Sequence, residues 1–224
     1  MRILSREEIG TLMQCAEEGQ RPLLAAAVFT GLRLGELLGL TWANIDFDRG
    51  VVQVRRQLDR SGERVEPKTR QAVRDVILMP ALARILREHR LRSPFARDEN
   101  LVFPSQRGEG LDHTVPGRAL RRAMAAGKLT GGDTAHLRFH DLRHTFASLL
   151  IAQGGNVVWV SRQLGHASPD IILRVYSHLF DGAEHADRAR AALEASFGNA
   201  LETGGGNGTQ SAVAEGADNV AFLR

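Results

Sequence analysis

Apolar residues recur every three or four positions along most of the chain, and only one stretch changes to strict alternation. Ser5 and Glu8 have the S-x-x-E spacing of a capping box, and Ile9, Leu12, Met13 and Ala16 follow at helical intervals. A helix is therefore expected from about residue 5 to 18, closed by Gly19. Pro22 suits the first turn of a second helix, apolar through Phe29 and stopping at Gly31. Leu32 to Leu38 predicts a short helix that sets Arg33 and Glu36 on one face. From Val51 the period drops to two: Val52, Val54 and Arg56 alternate with Val51, Gln53 and Arg55. Turn residues follow from Asp59 to Gly62, and a second extended stretch lies between Val65 and Leu78, with Val73, Asp75 and Ile77 in phase. This is a small antiparallel sheet, with Lys68 in or beside its connection.

Pro80 opens another helix with Leu82, Ile85 and Leu86 as its buried stripe, and residues 93–115 read as irregular around a short strand at Leu101, Val102 and Phe103. Helices are expected near 117–126, 141–153, 157–164, 169–176 and 181–197, separated by Gly127, the pair Gly154 and Gly155, Gly165 and Gly182. The fold class is mainly α with a small antiparallel β-sheet (α+β). From Asn199 to Asn219 the chain is dominated by Gly, Ala, Ser, Thr and acidic residues and has no aromatic, too little apolar surface to offset the entropy of folding. Residues 1–198 are thus expected to form one folded domain and 199–224 a flexible, disordered tail.

Hydrophobic residues at 43% and charged residues at 25% are ordinary for a soluble globular chain. The chain has neither a leader-like start nor an apolar run near the roughly 20 residues that span a bilayer. A cytoplasmic protein with no membrane partner is expected. The single Cys15 excludes an internal disulfide and a cysteine-rich metal site, and its neighbours Leu12, Met13 and Ala16 predict a buried core thiol. Net charge is only +3, yet Lys68 and Lys128 are the only lysines among 29 basic side chains. Arginine grips phosphate with a planar fork, whereas lysine is a point charge and a possible proton donor. High-GC coding gives the same bias, so it does not decide for a nucleic-acid partner by itself.

The sequence contains one tyrosine, Tyr176, which follows Leu164, Gly165 and His166 and precedes Ser177 and His178. A lone tyrosine is ordinarily structural. Upstream, Phe139, His140, Asp141, Leu142, Arg143, His144 and Thr145 open a helix in which His140 and Arg143 can face one point. Free N–H groups of the first turn add positive potential there, so the pair could hold an anion, although such pairs are common on surfaces.

Taken in order, these segments resemble the tyrosine recombinases, the family of phage integrases and chromosome-dimer resolvases. Thr30 to Leu38, with Leu40 and Trp42, is similar to the family's first box; residues 139 to 150 resemble the second; Leu164, Gly165 and His166 with Tyr176 and His178 resemble the end of the active site. Pro67, Lys68 and Thr69 match the family's lysine turn. The resemblance covers roughly residues 4 to 190. It implies Arg33 and Arg143 as phosphate-binding arginines, Lys68 as general acid, His140 and His166 as the family's histidines, Glu36 as the supporting acidic position and Tyr176 as the nucleophile. Every expected position is filled.

The chemistry of these residues agrees. Attack on a phosphodiester concentrates negative charge on the non-bridging oxygens, and two arginines can absorb it. A phenol with an ordinary pKa of about 10 needs a proton acceptor, for which His140 is the best candidate. His166 would donate to the phosphate, and Glu36 would orient Arg33 or His140. His144 and His178 read as structural, and Trp42 as a core aromatic. The resemblance implies cleavage of double-stranded DNA through a 3′-phosphotyrosyl link, with no metal, ATP or other cofactor. It further implies a homotetramer on DNA, and a monomer or weak oligomer when free. The family's amino-terminal helical, core-binding domain is read as absent, which predicts weak, salt-sensitive DNA binding. Two rivals stay open: a type IB topoisomerase, and a non-cleaving DNA-binding regulator derived from a recombinase.

Overall fold

Among the described residues, the most apolar helix lies at the centre of the first of two units, Met1–Asp181 and Gly182–Arg224. The structure is a computed structural model and describes residues 2–67, 69–130, 137–177, 190–191 and 193–196. The central helix, α2 (Arg21–Thr30), buries Pro22, Leu23, Leu24, three successive alanines, Val28 and Thr30. A helix apolar on all sides is stable only when surrounded, and α1, α3, α4, α5 and α6 pack on it. Its single buried hydroxyl, Thr30 Oγ1, donates back to the Ala26 carbonyl at 2.6 Å, so no polar group is stranded.

Helix α1 (Arg6–Cys15) begins at the expected capping box. Ser5 Oγ accepts from the Glu8 amide at 3.2 Å, and the Glu8 carboxylate accepts from the Ser5 amide at 2.8 Å. It ends short of residue 18 because Ala16 is extended, and Cys15 is half-buried rather than a core thiol. Helix α3 (Leu34–Leu38) starts after an extended Arg33, whose amide donates to Glu36 at 2.9 Å.

The antiparallel sheet runs in the order β1 (Ile45–Asp46), β2 (Val51–Val54), β5 (Arg74–Ile77), with Val52 opposite Val76 and Val54 opposite Arg74. A separate hairpin pairs β3 (Gln57–Leu58) with β4 (Arg64–Val65) across the expected turn, where Gly62 takes φ 86°. On β5 the inward phase is Arg74 and Val76. Val73 and Ile77, the apolar residues picked out in sequence, face outward. Lys68 lies outside the described residues.

The helical half follows: α4 (Pro80–Arg92), α5 (Thr114–Ala126), α6 (Asp141–Ala152), α7 (Val157–Leu164) and α8 (Asp170–Tyr176). Helix α5 begins earlier than expected because the Asp112 carboxylate accepts from the Thr114 amide at 2.7 Å. The 93–113 connection is irregular but anchored: Leu101, Val102 and Phe103 are buried, and the Val102 amide donates to the Leu40 carbonyl. Trp42 is a core aromatic whose indole N–H donates to the Phe95 carbonyl at 2.9 Å. Helix α7 packs on β5, α6 and α8 and so joins the sheet to the last helices of the first unit. In the second unit the described residues 190–191 and 193–196 are helical; the rest of the expected 181–197 helix and the 199–224 tail lie outside the described residues. No helix among the described residues is long and apolar enough to cross a membrane.

Helix α3 rests on β3 through two glycines one turn apart. A Cβ on Gly35 would lie 2.7 Å from the Leu58 carbonyl oxygen, and one on Gly39 would lie 2.7 Å from the Leu58 nitrogen. Gly39 has φ −86°, which any residue adopts, so the constraint there is space alone. Gly39→Ala is expected to destabilise the protein by roughly 1–3 kcal/mol through overpacking. The measure is a lower urea midpoint at unchanged slope; a midpoint equal to the parent's would show that β3 gives way freely.

Candidate active site

Helix α7 is short, and its C-terminal end organises the region. Asn156 caps its start, accepting from the Val158 amide at 2.8 Å, and Gly165 ends it in the left-handed region at φ 63°. The last carbonyls of a helix lack intrahelical donors and carry the negative end of its dipole. Three successive ones are taken by three arginines from three different elements. Arg74 Nε of β5 donates to Gln163 O at 2.7 Å, Arg143 Nη2 of α6 donates to Leu164 O, and Arg33 Nη2 before α3 donates to Gly165 O at 3.2 Å. A Cβ at Gly165 would come within 2.8 Å of Arg74 Nη1 and 2.9 Å of the Gln71 carbonyl, so both space and backbone conformation require glycine here.

Glu36, 1% exposed, lies beneath these arginines. It accepts from Arg33 Nη1 at 2.8 Å and from both terminal nitrogens of Arg74 at 3.1 and 2.9 Å. Burial pushes its pKa up, but the hydrogen bonds and charge of Arg74, joined by Arg33, hold it below the usual carboxylate range. The reading of Glu36 as a support for Arg33 thus has a geometric basis, and its second partner is a buried arginine that sequence reading missed. Arg74 occupies the inward phase of β5 with Val76. A charge at such a position demands a buried counter-charge, and that was the available signal.

Arg143 is 4% exposed and donates to the Gly31 carbonyl at 2.8 Å as well as to Leu164. Burial and the charges of Arg33 and Arg74 push its pKa down to about 9, which leaves it cationic at neutral pH. Among the described residues, three guanidiniums thus gather at one carboxylate, Glu36, which bonds Arg33 and Arg74 but not Arg143, leaving an excess of positive charge in a partly desolvated place. His166 follows Gly165 directly. Burial and the neighbouring Arg143 and Arg33 push its pKa down to about 4, and its Nδ1 is buried without a hydrogen-bond partner among the described residues.

Tyr176, the last residue of α8, is 2% exposed, and its hydroxyl lies 2.5 Å from His144 Nδ1. Burial pushes the phenol up to about 12, against the pull of the Arg143 charge. His140, the acceptor expected from sequence, is exposed at the start of α6 with its ring edge-on to His144 at 5.4 Å. His144, read as structural, is the residue set against the phenol. Both histidines lie one turn apart on one face of α6, and where α8 arrives decides between them. The structure therefore brings together Arg33, Glu36, Arg143 and His166 through the end of α7, and joins Tyr176 to His140 by way of His144. His178 and Lys68 lie outside the described residues. No group of three or more His, Cys, Asp or Glu side chains among the described residues is arranged to hold a metal.

Removing one partner of a buried ion pair strands the other. Glu36→Gln is expected to destabilise the protein by roughly 3–5 kcal/mol at pH 7, because Arg74 would keep its charge without a counter-ion. The folded pKa of Glu36 is depressed, so its contribution is present above the ordinary value of 4.5 and lost as pH falls below it. The His166 contribution has the same sign: the unfolded chain takes its proton first, so stability declines as pH falls from 6.5 toward 4. Urea unfolding at pH 7 and pH 3.5 should show a smaller acid loss in Glu36→Gln than in the parent; equal losses would remove Glu36 from the acid-sensitive set.

The family model described as phage integrase family matches residues 2–182. A tyrosine recombinase XerC-like protein of Caldanaerobacter subterraneus subsp. tengcongensis is 32% identical over 203 residues, covering 78% of this chain and 50% of its own length. The putative prophage phiRv2 integrase of Mycobacterium tuberculosis is 31% identical over 190 residues, covering 84% and 49%. The chain spans about half the length of the curated relatives it matches. The Tn1549 transposon integrase in complex with circular intermediate DNA shares the fold with a TM-score of 0.71 at 22% identity, over 85% of this chain and 67% of that one. XerA recombinase does so with a TM-score of 0.65 at 23% identity, over 85% and 64%. The mainly α fold with a small antiparallel sheet is thus the fold of these recombinases, and with the family model matching nearly all of the first unit, the chain belongs to the phage integrase family.

Proposed function

We propose that the chain cleaves and rejoins double-stranded DNA through a 3′-phosphotyrosyl bond at Tyr176, in support of site-specific integration or recombination. The observation that carries this reading is a buried phenol on a histidine, close enough to Arg143 to feel its charge, beside an arginine cluster with more cations than its one carboxylate neutralises. Such a cluster favours an anion, and a diester phosphate becomes more anionic as it passes to a crowded five-coordinate geometry. Arg33, about 40% exposed at its side chain, and Arg143 would hold the non-bridging oxygens, with His166 and His140 adding donors. Glu36 and Arg74 fix Arg33 without touching DNA.

In this reading Tyr176 displaces the 5′-oxygen, and Lys68, assigned from the Pro67-Lys68-Thr69 match, gives that oxygen its proton. The bond energy stays in the protein–DNA link, so resealing needs no ATP. Residues 1–198 would be the catalytic domain, with four protomers acting in pairs on two duplexes. Family membership supports DNA as substrate. So do two fold neighbours: XerH recombinase bound to palindromic difH substrate in a post-cleavage complex, TM-score 0.59, and a lambda integrase tetramer bound to a Holliday junction, TM-score 0.54.

A pool of duplexes with randomised centres, nicked so that the cleaved end diffuses away, tests the reading without a known site. The wild-type chain should give a denaturation-resistant protein–DNA adduct in the presence of chelator, with the nucleotide on the Tyr176 peptide by mass spectrometry. Tyr176→Phe should give none, and Arg33→Ala should form it about 10²–10³-fold more slowly. An adduct at another residue, or equal amounts from Tyr176→Phe, would refute the assignment. DNA affinity should also fall steeply with salt, and Arg33→Met should reduce the slope of log K against log salt by about 0.9. An unchanged slope would take Arg33 off the phosphate.

A further inference from the structure

We infer that His144 is the general base of the reaction: it takes the proton of Tyr176 as the phenol attacks and returns it when the strand is resealed. This rests on the phosphotyrosyl reading above and assigns a residue within it. The first ground is contact. His144 Nδ1 stands 2.5 Å from the Tyr176 hydroxyl, whereas His140 reaches the phenol only through the ring of His144. A base must be within hydrogen-bond reach of the proton it removes, and geometry precedes acidity in choosing one.

The second ground is need. A phenol pushed up to about 12 is protonated at neutral pH, and a protonated oxygen is a weak nucleophile. The groups that bear on His144 fit the role. Burial, His140 and Arg143 lower its proton affinity, which favours the neutral ring; the proposed role requires its proton on Nε2, leaving the Nδ1 lone pair for the phenol. Asp141, buried and held by the Arg138 amide at 2.8 Å, opposes them and supports the imidazolium once it forms. Tyr176 itself approaches from α8.

The proton and bond changes balance. The Tyr176 O–H bond breaks and a His144 Nδ1–H bond forms; the phenolic oxygen bonds to phosphorus as the bond to the 5′-oxygen breaks, and that oxygen receives a proton from the general acid. In resealing, the incoming 5′-hydroxyl gives its proton back to the general acid as its oxygen bonds to phosphorus; the bond from phosphorus to Tyr176 breaks, and the phenolic oxygen takes its proton back from His144. The protein ends as it began.

The test uses the full chain and the nicked duplex pool, with adduct formation timed from pH 6 to pH 10. His144→Gln, which keeps a polar contact but cannot accept the proton, is expected to form adduct about 10²–10³-fold more slowly at pH 7. Its rate should climb about tenfold per pH unit as hydroxide ionises the phenol, while the wild type levels off. His140→Gln should keep the wild-type shape of the pH profile whatever its rate. Non-covalent binding of the same duplexes by His144→Gln should stay within twofold, separating lost chemistry from lost structure. A His144→Gln rate within threefold of wild type, or a hydroxide-dependent profile in His140→Gln instead, would overturn the inference and leave the nucleophile standing. Failure of the wild type to form any adduct would overturn both. A measurement on the unmutated fold is independent of how the variant behaves: ¹⁵N resonances should show His144 as the Nε2–H tautomer with Nδ1 accepting, shifted in Tyr176→Phe. A Nδ1–H tautomer would overturn the assignment.

Discussion

Three carbonyls at the end of one two-turn helix hold three arginines that arrive from separate parts of the chain. Gln163, Leu164 and Gly165 receive Arg74, Arg143 and Arg33 in turn, so the C-terminus of α7 is the template on which the site is assembled. Hydrogen bonds to charged groups contribute about 1.5–3 kcal/mol each. Their larger effect is geometric, because each guanidinium is fixed by at least two acceptors before any ligand arrives. Arg143 spans the ends of α2 and α7, and Arg74 spans Glu36, Ala72 and Gln163. The entropy lost in ordering these long side chains is met during folding, which leaves less to lose when an anion is bound.

The same arrangement explains why the site has one acid and several bases of the Brønsted kind held neutral. Glu36 is shielded from solvent and neutralises part of the charge, while burial first, and then the neighbouring positive charge, lowers the proton affinity of His166, His144 and His140. Neutral imidazoles beside guanidiniums can accept protons or donate hydrogen bonds without adding to the repulsion. A cavity of about 760 Å³ lined by Ile85, His89, Phe95 and Pro104 shares none of these residues.

Much of this was legible in the chain. Helical periods located nearly every helix, the capping box at Ser5 formed as written, and the change to alternation at Val51 marked the sheet. Those features depend on neighbours within a few residues. What escaped depends on partners far along the chain. Arg74 and Glu36 are 38 positions apart, and His144 and Tyr176 are 32 apart. No local rule ranks His140 against His144, since both occupy the same face of α6. The strand β1 and the outward phase of Val73 and Ile77 were missed for a similar reason: burial there is set by what packs on β5, which includes α7.

The position of Tyr176 at the last residue of a seven-residue helix has a mechanical side. Ile172, one turn earlier, is wholly buried, while Ile171 and Leu173 are exposed, so α8 packs on α7 along one edge and meets α6 where Tyr176 rests on His144. A strand covalently attached at Tyr176 would pull on α8, and through it on the same α7 whose far end locates the arginines. On the proposed reading, tension on the nucleic acid would therefore reach the arginine cluster proposed to hold the phosphate.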